Sequence, residues 1–161
     1  MVGTDVSHRA LEIAQRRLRL DRMGDRQRDR ITVFQSSVTY RDARIAGYDA
    51  IVLMEVVEHV DPPRIGALEA SVFGAARPQT VVVTTPNVEH NVRYETLPAG
   101  SMRHADHRFE WSRREFSSWA EQVATTYGFT VAYVPIGTDD TEVGPPTQMA
   151  VFTRTAAGAQ G

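Results

Sequence analysis

The sequence predicts a doubly wound α/β sheet that closes in a C-terminal β-hairpin, and three features predict it. Two apolar runs, Ala50–Met54 and Thr80–Thr85, carry the β-branched residues of strands buried on both faces of a parallel sheet. Segments of helical periodicity alternate with strand-like ones, the order that βαβ crossovers produce. The last two strand-like segments, Phe129–Ile136 and Gln148–Thr153, have only a loop with Pro145-Pro146 between them, so they should pair as a hairpin.

Met1–Ser7 reads as the end of a strand, with Ser7 as a helix N-cap. Leu11, Ile13, Ala14, Leu18 and Leu20 then recur near helical spacing among interleaved arginines, which predicts an amphipathic helix over His8–Arg22. Met23–Arg30 carries Gly24 and mixed charges and reads as a loop. Ile31–Gln35 alternates as a strand does, with Ser36-Ser37-Val38 at its end. Pro62-Pro63 opens a helix over Arg64–Phe73, because proline is tolerated in a first turn, and Gly74–Gln79 is expected to end it. Thr85-Pro86-Asn87 turns the chain at the end of the second buried strand. The stretch 91–105, with Pro98 and Gly100, has no periodicity and is long enough for a functional loop. Ser112 and Glu115 form a capping box for a helix that runs to Tyr127, with Phe116, Trp119 and Val123 on its inner face.

At 161 residues the chain suits one domain over residues 1–155, followed by a small, polar tail at 156–161 that should be disordered. A net charge of −2 excludes a strongly basic nucleic-acid coat, yet all 18 cationic residues are arginine, whose fork suits bidentate phosphate contacts. The absence of cysteine excludes a disulfide framework, a thiolate metal site and a cysteine nucleophile. No apolar run is long enough to span a membrane, and the N-terminus has no signal pattern, so a cytoplasmic protein with no membrane partner is expected.

The candidate chemistry begins where the first buried strand ends. Glu55, Glu58 and His59 stand at i, i+3 and i+4, so a helical turn starting there would point all three side chains the same way. Two carboxylates on one face repel unless a cation lies between them, and the C-terminal edge of an open α/β sheet is where active sites form. The segment Arg103–Arg113 packs two histidines, two carboxylates, three arginines and two aromatics into eleven residues. One of its histidines, His104 or His107, would complete the site as a fourth ligand, and spacing permits either. Phe109 and Trp111 can anchor the loop, and Asp106 and Glu110 offer acceptors for an imidazole N–H, which favours His107. Mixed carboxylate and imidazole ligation suits Mg or Mn, with Mn favoured by the histidines. A metallohydrolase is a rival, because Glu-x-x-Glu-His differs from an inverted zinc motif only at its first position. Pro62 and Pro63 argue against it, since they cut short the helix that motif needs.

Three ordered blocks, Glu55-Val56-Val57-Glu58-His59, Thr85-Pro86-Asn87-Val88-Glu89-His90-Asn91 and Asp106-His107-Arg108-Phe109-Glu110-Trp111, resemble the signature of the Hen1 family. That family comprises small-RNA 3′-terminal ribose 2′-O-methyltransferases, and the similarity runs from Val2 to Arg154. The resemblance implies a Rossmann-like class I sheet dependent on S-adenosylmethionine. It implies a divalent metal held by Glu55, Glu58, His59 and His107, with these four as the catalytic set. Asp5 would take the ribose hydroxyls of the cofactor and Ser37 would lie beside its adenine. The substrate implied is an RNA 3′ end with free 2′- and 3′-hydroxyls, not DNA, and the partners implied are an RNA-repair kinase–phosphatase and ligase. His59 or His104 would accept the proton.

Two departures accompany the resemblance. His90 replaces the family's usual aromatic and would add a spare imidazole near the metal. The family's first strand and Gly-rich loop have no counterpart after Met1, so the strands ending at Asp5 and Met54 should have unpaired edges facing each other. The chain is accordingly read as the C-terminal part of a larger Hen1-like protein, with a non-catalytic RNA-end-binding or partner-docking fragment as the alternative.

Overall fold

The structure, a computed structural model, describes residues 1–24 and 29–156. Residues 25–28 of the expected loop and 157–161 of the expected tail lie outside the described residues. Strand β1 (Val2–Asp5) runs parallel to β2 (Thr32–Gln35), with Val2 opposite Thr32 and Asp5 opposite Gln35. Helix α1 (His8–Leu18) connects them and starts where expected: Ser7 Oγ accepts from the Ala10 N–H at 3.3 Å, satisfying one of the free N–H groups of the first turn. The expected extension of α1 to Arg22 does not form. Arg19 takes a left-handed conformation (φ 53°) and its N–H turns back to the Arg16 carbonyl, so the helix is capped there and Leu20–Arg22 makes a separate 3₁₀ turn.

The second sheet has the order β3-β4-β6-β5, built from β3 (Ala50–Met54), β4 (Thr80–Pro86), β5 (Phe129–Ile136) and β6 (Thr147–Arg154). β3 and β4 are parallel, with Met54 beside Thr84, and β6 lies antiparallel to both β4 and β5. This is the expected hairpin, placed so that β6 covers β4. Helix α3 (Arg113–Tyr127) begins at the expected capping box and ends at Gly128, whose φ of 74° suits the left-handed cap.

Helix α2 (Ile65–Glu69) follows a 3₁₀ turn at Pro62–Arg64 and widens into a π-helical segment over Ala70–Ala76. It therefore runs through Gly74, three residues beyond the expected end at Phe73, and stops inside the 74–79 stretch expected to end it. Gly74 serves packing instead, since a Cβ there would lie 3.2 Å from the Tyr127 ring, and the helix ends at Arg77 (φ 43°). Leu68, Phe73, Phe116, Val81, Val83 and Phe152 are fully or almost fully buried between α2, α3 and one face of the sheet. Phe73 meets Phe152 edge-on at 4.9 Å, a favourable aromatic geometry within this core.

On the opposite face Val52 and Met54 are exposed, and no ladder joins β1 to β3 among the described residues. A groove of about 500 Å³ separates them, lined by Met1–Asp5 and Ala50–Met54 with Tyr48 and Val72 at its sides. Among the described residues the facing edges of β1 and β3 are unpaired, as expected. No described helix is long and apolar enough to cross a membrane.

Candidate metal centre

The parallel register of β3 and β4 brings the ends of both strands to one edge, where the residues that follow β3 meet Thr84 and Thr85 near the end of β4. Glu55, the first residue after β3, adopts a left-handed backbone (φ 52°) that an L-residue enters only at a cost of about 1–3 kcal/mol. The Glu55 N–H donates to both the carbonyl and the hydroxyl of Thr84, and the Thr84 hydroxyl donates to Glu55 Oε1 at 2.9 Å. This reversal sends the chain into a single 3₁₀ turn, Val57–His59, instead of the expected α-helical turn. In a 3₁₀ turn the i, i+3, i+4 grouping of a helix does not hold. Glu58 points inward, His59 stays at the surface, and Glu55 is exposed and tied to Thr84.

Glu58 is completely buried. One carboxylate oxygen accepts from the Thr85 hydroxyl at 3.1 Å, while Oε1 has no hydrogen-bond partner. Burial pushes the Glu58 carboxyl up to about 7, with the charge of Glu55 acting in the same direction, against the opposing pull of its own backbone N–H, Thr85 and His107. An orphan buried acceptor on an acid costs stability unless something positive meets it.

The loop from Met102 to Glu110 supplies the rest. The Arg108 N–H donates to the Glu58 carbonyl at 2.7 Å, which docks the loop against the 3₁₀ turn. His107 is then buried, and its Nδ1–H donates to Glu110 Oε1 at 2.6 Å; His59 Nδ1–H reaches the Asp106 carbonyl at 3.3 Å. Each imidazole keeps Nε2 available. One ligand atom each from Glu58, His59 and His107 lies within 4.8 Å of the others, and the two rings meet edge-on at 4.9 Å.

An O, N, N donor set with an unpaired buried carboxylate oxygen fits a divalent cation of the Mg, Mn or Zn kind. Of the four residues expected to ligate, the structure brings three together and leaves Glu55 beside them on Thr84. His104 is near, its ring 5.7 Å from that of His107, but it is exposed and its Nδ1 accepts from the Asp106 N–H. His90 is not a spare imidazole of this site. Its Nδ1–H donates to the Gly144 carbonyl at 2.8 Å, and its ring packs against Tyr94.

Sequence reasoning missed the hydroxyls of Thr84 and Thr85, each seated beside a site carboxylate, because the β3–β4 pairing that brings them there is a long-range contact. It also missed Arg103 and Asn91. Asn91 Nδ2 donates to Glu110 Oε2, the Arg103 N–H donates to Glu110 Oε1, and Arg103 Nε donates to Asn91 Oδ1. Of the two residues expected to meet a cofactor, Asp5 lies at the end of β1, exposed, with Oδ1 accepting from the Ser7 N–H at 2.7 Å. Ser37 is half-buried and its hydroxyl shares a hydrogen bond with that of Thr39. Both lie on the β1–β2 side of the groove, across from β3.

The sheet order, with acidic and imidazole side chains gathered at the ends of β3 and β4, is that of a Rossmann-like class I methyltransferase domain. Solved structures agree. The methyltransferase domain of a bacterial Hen1 superposes with a TM-score of 0.85 at 52% identity, covering 96% of this chain and 77% of that one. Among curated proteins, the small RNA 2′-O-methyltransferase of Rattus norvegicus is 40% identical over 127 residues, which is 77% of this chain and 32% of the relative. The chain spans about a third of the length of the curated relatives it matches. A Pnkp1/Rnl/Hen1 RNA repair complex also contains a matching chain, at 26% identity and a TM-score of 0.63, with 95% of this chain and 31% of that one covered. No family model matches. The chain belongs to the Hen1 family of small RNA 2′-O-methyltransferases.

Proposed function

We propose that this chain carries the chemistry of an RNA 3′-terminal ribose 2′-O-methyltransferase that uses S-adenosylmethionine and Mg or Mn. The observation that carries the reading is the buried, unpartnered oxygen of Glu58 beside the free Nε2 atoms of His59 and His107. Glu58, His59 and His107 would hold the cation, with Glu55 released from Thr84 as a fourth ligand. Bound there, a divalent ion would supply Lewis-acid activation of a ribose hydroxyl and a clamp on the neighbouring one.

The chain's own residues do the remaining work. Thr85 and Glu110 hold Glu58 and His107 in place before substrate arrives, so little reorganisation remains for the reaction. The second carboxylate oxygen of Asp5 would accept from the cofactor's ribose hydroxyls, and Ser37 would flank its adenine. S-adenosylmethionine bound in the groove would supply the methyl group to the 2′-oxygen and would leave as S-adenosylhomocysteine once its carbon–sulfur bond is broken. His104, exposed at the mouth of the site, passes the released proton to solvent. Because both hydroxyls of the terminal ribose are used, an RNA ending in a 3′-phosphate or an existing 2′-methyl group is excluded. An RNA-repair kinase–phosphatase and ligase are proposed partners, by analogy with the repair complex.

The test is labelled methyl transfer by the protein that carries this chain, to one RNA sequence ending in either a 2′,3′-diol or a 3′-phosphate. Label should enter the diol end alone, and only with Mg or Mn present. Equal labelling of both ends, or labelling unaffected by chelation, would overturn the proposal.

A further inference from the structure

Beyond the metal centre, one aromatic side chain is held rigidly and left open. After β4 the chain makes a 3₁₀ turn, Val88–Arg93, and Tyr94 follows it with its N–H on the Asn91 carbonyl at 3.1 Å. The Tyr94 side chain is 38% exposed, and exposed Met102 lies next to Arg103 in the same loop system. The ring is backed by one cation and one imidazole: the Arg103 guanidinium lies 5.2 Å from its centroid, and His90 meets it at 5.7 Å with an interplanar angle of 62°. Both supports are fixed. Arg103 donates to Asn91 Oδ1 and to the carbonyls of Asn87 and Pro146, and His90 is bonded to Gly144.

The same Arg103 ties this ring to the metal centre. Its backbone N–H donates to Glu110 Oε1, the oxygen that also receives His107 Nδ1. Tyr94 is thus one side chain removed from the group that positions a candidate ligand. Resting on the RNA-end reading above, a terminal ribose placed at Glu58, His59 and His107 has to project its base away from the buried carboxylate, toward the exposed side of the loop. We infer that Tyr94 is the stacking platform for the 3′-terminal base. A tyrosine face accepts any of the four bases, since each offers a π-face, and a guanidinium behind the ring leaves the outer face for the ligand. The site therefore selects for the presence of a terminal base and not for its identity.

The experiment measures binding by fluorescence anisotropy, in Mn, of a short single-stranded RNA with a 2′,3′-diol end against the same RNA whose last nucleotide is an abasic ribose. The chain as it stands is compared with Tyr94→Phe and Tyr94→Leu, with thermal melting to establish that each is folded. The parent and Tyr94→Phe should bind the base-bearing end roughly 5- to 150-fold more tightly than the abasic one, the range that one stacked base supplies. Tyr94→Leu should bind both ends alike, at the parent's abasic affinity. Discrimination by Tyr94→Leu equal to the parent's, or none by the parent itself, overturns the platform while leaving the metal centre standing. Failure of the parent to bind either RNA end overturns the RNA-end reading and the platform with it.

Discussion

Glu110 and His107 form a 2.6 Å hydrogen bond between a carboxylate whose side chain is wholly buried and the Nδ1 of an imidazole that is nearly so. The same carboxylate receives the Arg103 N–H and Asn91 Nδ2, so Glu110 is held from three directions and cannot rotate away. A carboxylate on Nδ1 fixes the tautomer that leaves Nε2 unprotonated and able to take a metal at the candidate centre. Replacing Glu110 with Ala should weaken Mn binding about 10- to 100-fold, as read by calorimetry, without removing any ligand. Unchanged affinity would mean that the imidazole is positioned by other contacts.

The two histidines of this loop should behave differently. His107 is buried and bonded to Glu110, whereas His104 is exposed and its Nδ1 meets only Asp106 of its own turn among the described residues. His107→Ala should abolish Mn binding and metal-dependent methyl transfer to RNA ends. His104→Ala should keep most of both, because water can take the proton at an exposed position. The opposite ranking, in the same two measurements, would show that the loop has been read in the wrong orientation.

Asp5 allows a similar separation on the cofactor side. One of its oxygens already holds the Ser7 N–H at the start of α1, so Asp5→Ala would disturb the helix cap as well as any ligand. Asp5→Asn keeps an acceptor for Ser7 and loses the charge. In the protein that carries this chain, it should bind S-adenosylmethionine about 10-fold more weakly by calorimetry, in line with a lost charge-assisted hydrogen bond, and melt within a degree or two of the parent. Equal affinity would place the cofactor's ribose elsewhere.

Much of this architecture is legible in the sequence because it depends on local patterns. The two apolar runs give β3 and β4, the Ser112–Glu115 box gives the start of α3, and Phe129–Ile136 with its successor gives the hairpin. Reading fails where long-range contacts override local preference. The helix through Gly74 persists because Tyr127, 53 positions later, packs on the space a side chain would fill. Arg19 ends α1 with a backbone conformation that its own side chain does not favour. At the site, Glu58, His59 and His107 could be named from motif and loop composition, but not the geometry of Glu55. Its left-handed backbone and its bond to Thr84 arise from the β3–β4 register, which no spacing within 55–59 encodes.

Glu58 links the site to stability, and the sign of the effect is testable. Its carboxyl sits at about 7 in the folded chain, above its ordinary value of 4.5, because burial penalises the charged form. The folded state therefore holds the proton more tightly than the unfolded one. Stability from this group is complete below about pH 4.5 and is lost as the pH rises through about 7, by something on the order of 3 kcal/mol in the metal-free chain. Glu58→Gln keeps the buried shape without the ionisation, so it should be the more stable protein at pH 8 and comparable to the parent near pH 5. Mn should reverse the order at pH 8, because a cation that binds only the ionised, folded parent raises its melting temperature with concentration, while Glu58→Gln should not respond. Urea titrations of both proteins at pH 5 and pH 8, with and without Mn, make the comparison. A parent whose stability relative to Glu58→Gln does not fall between those pH values would show that the Glu58 carboxyl is ionised at little cost and has found a partner other than a metal.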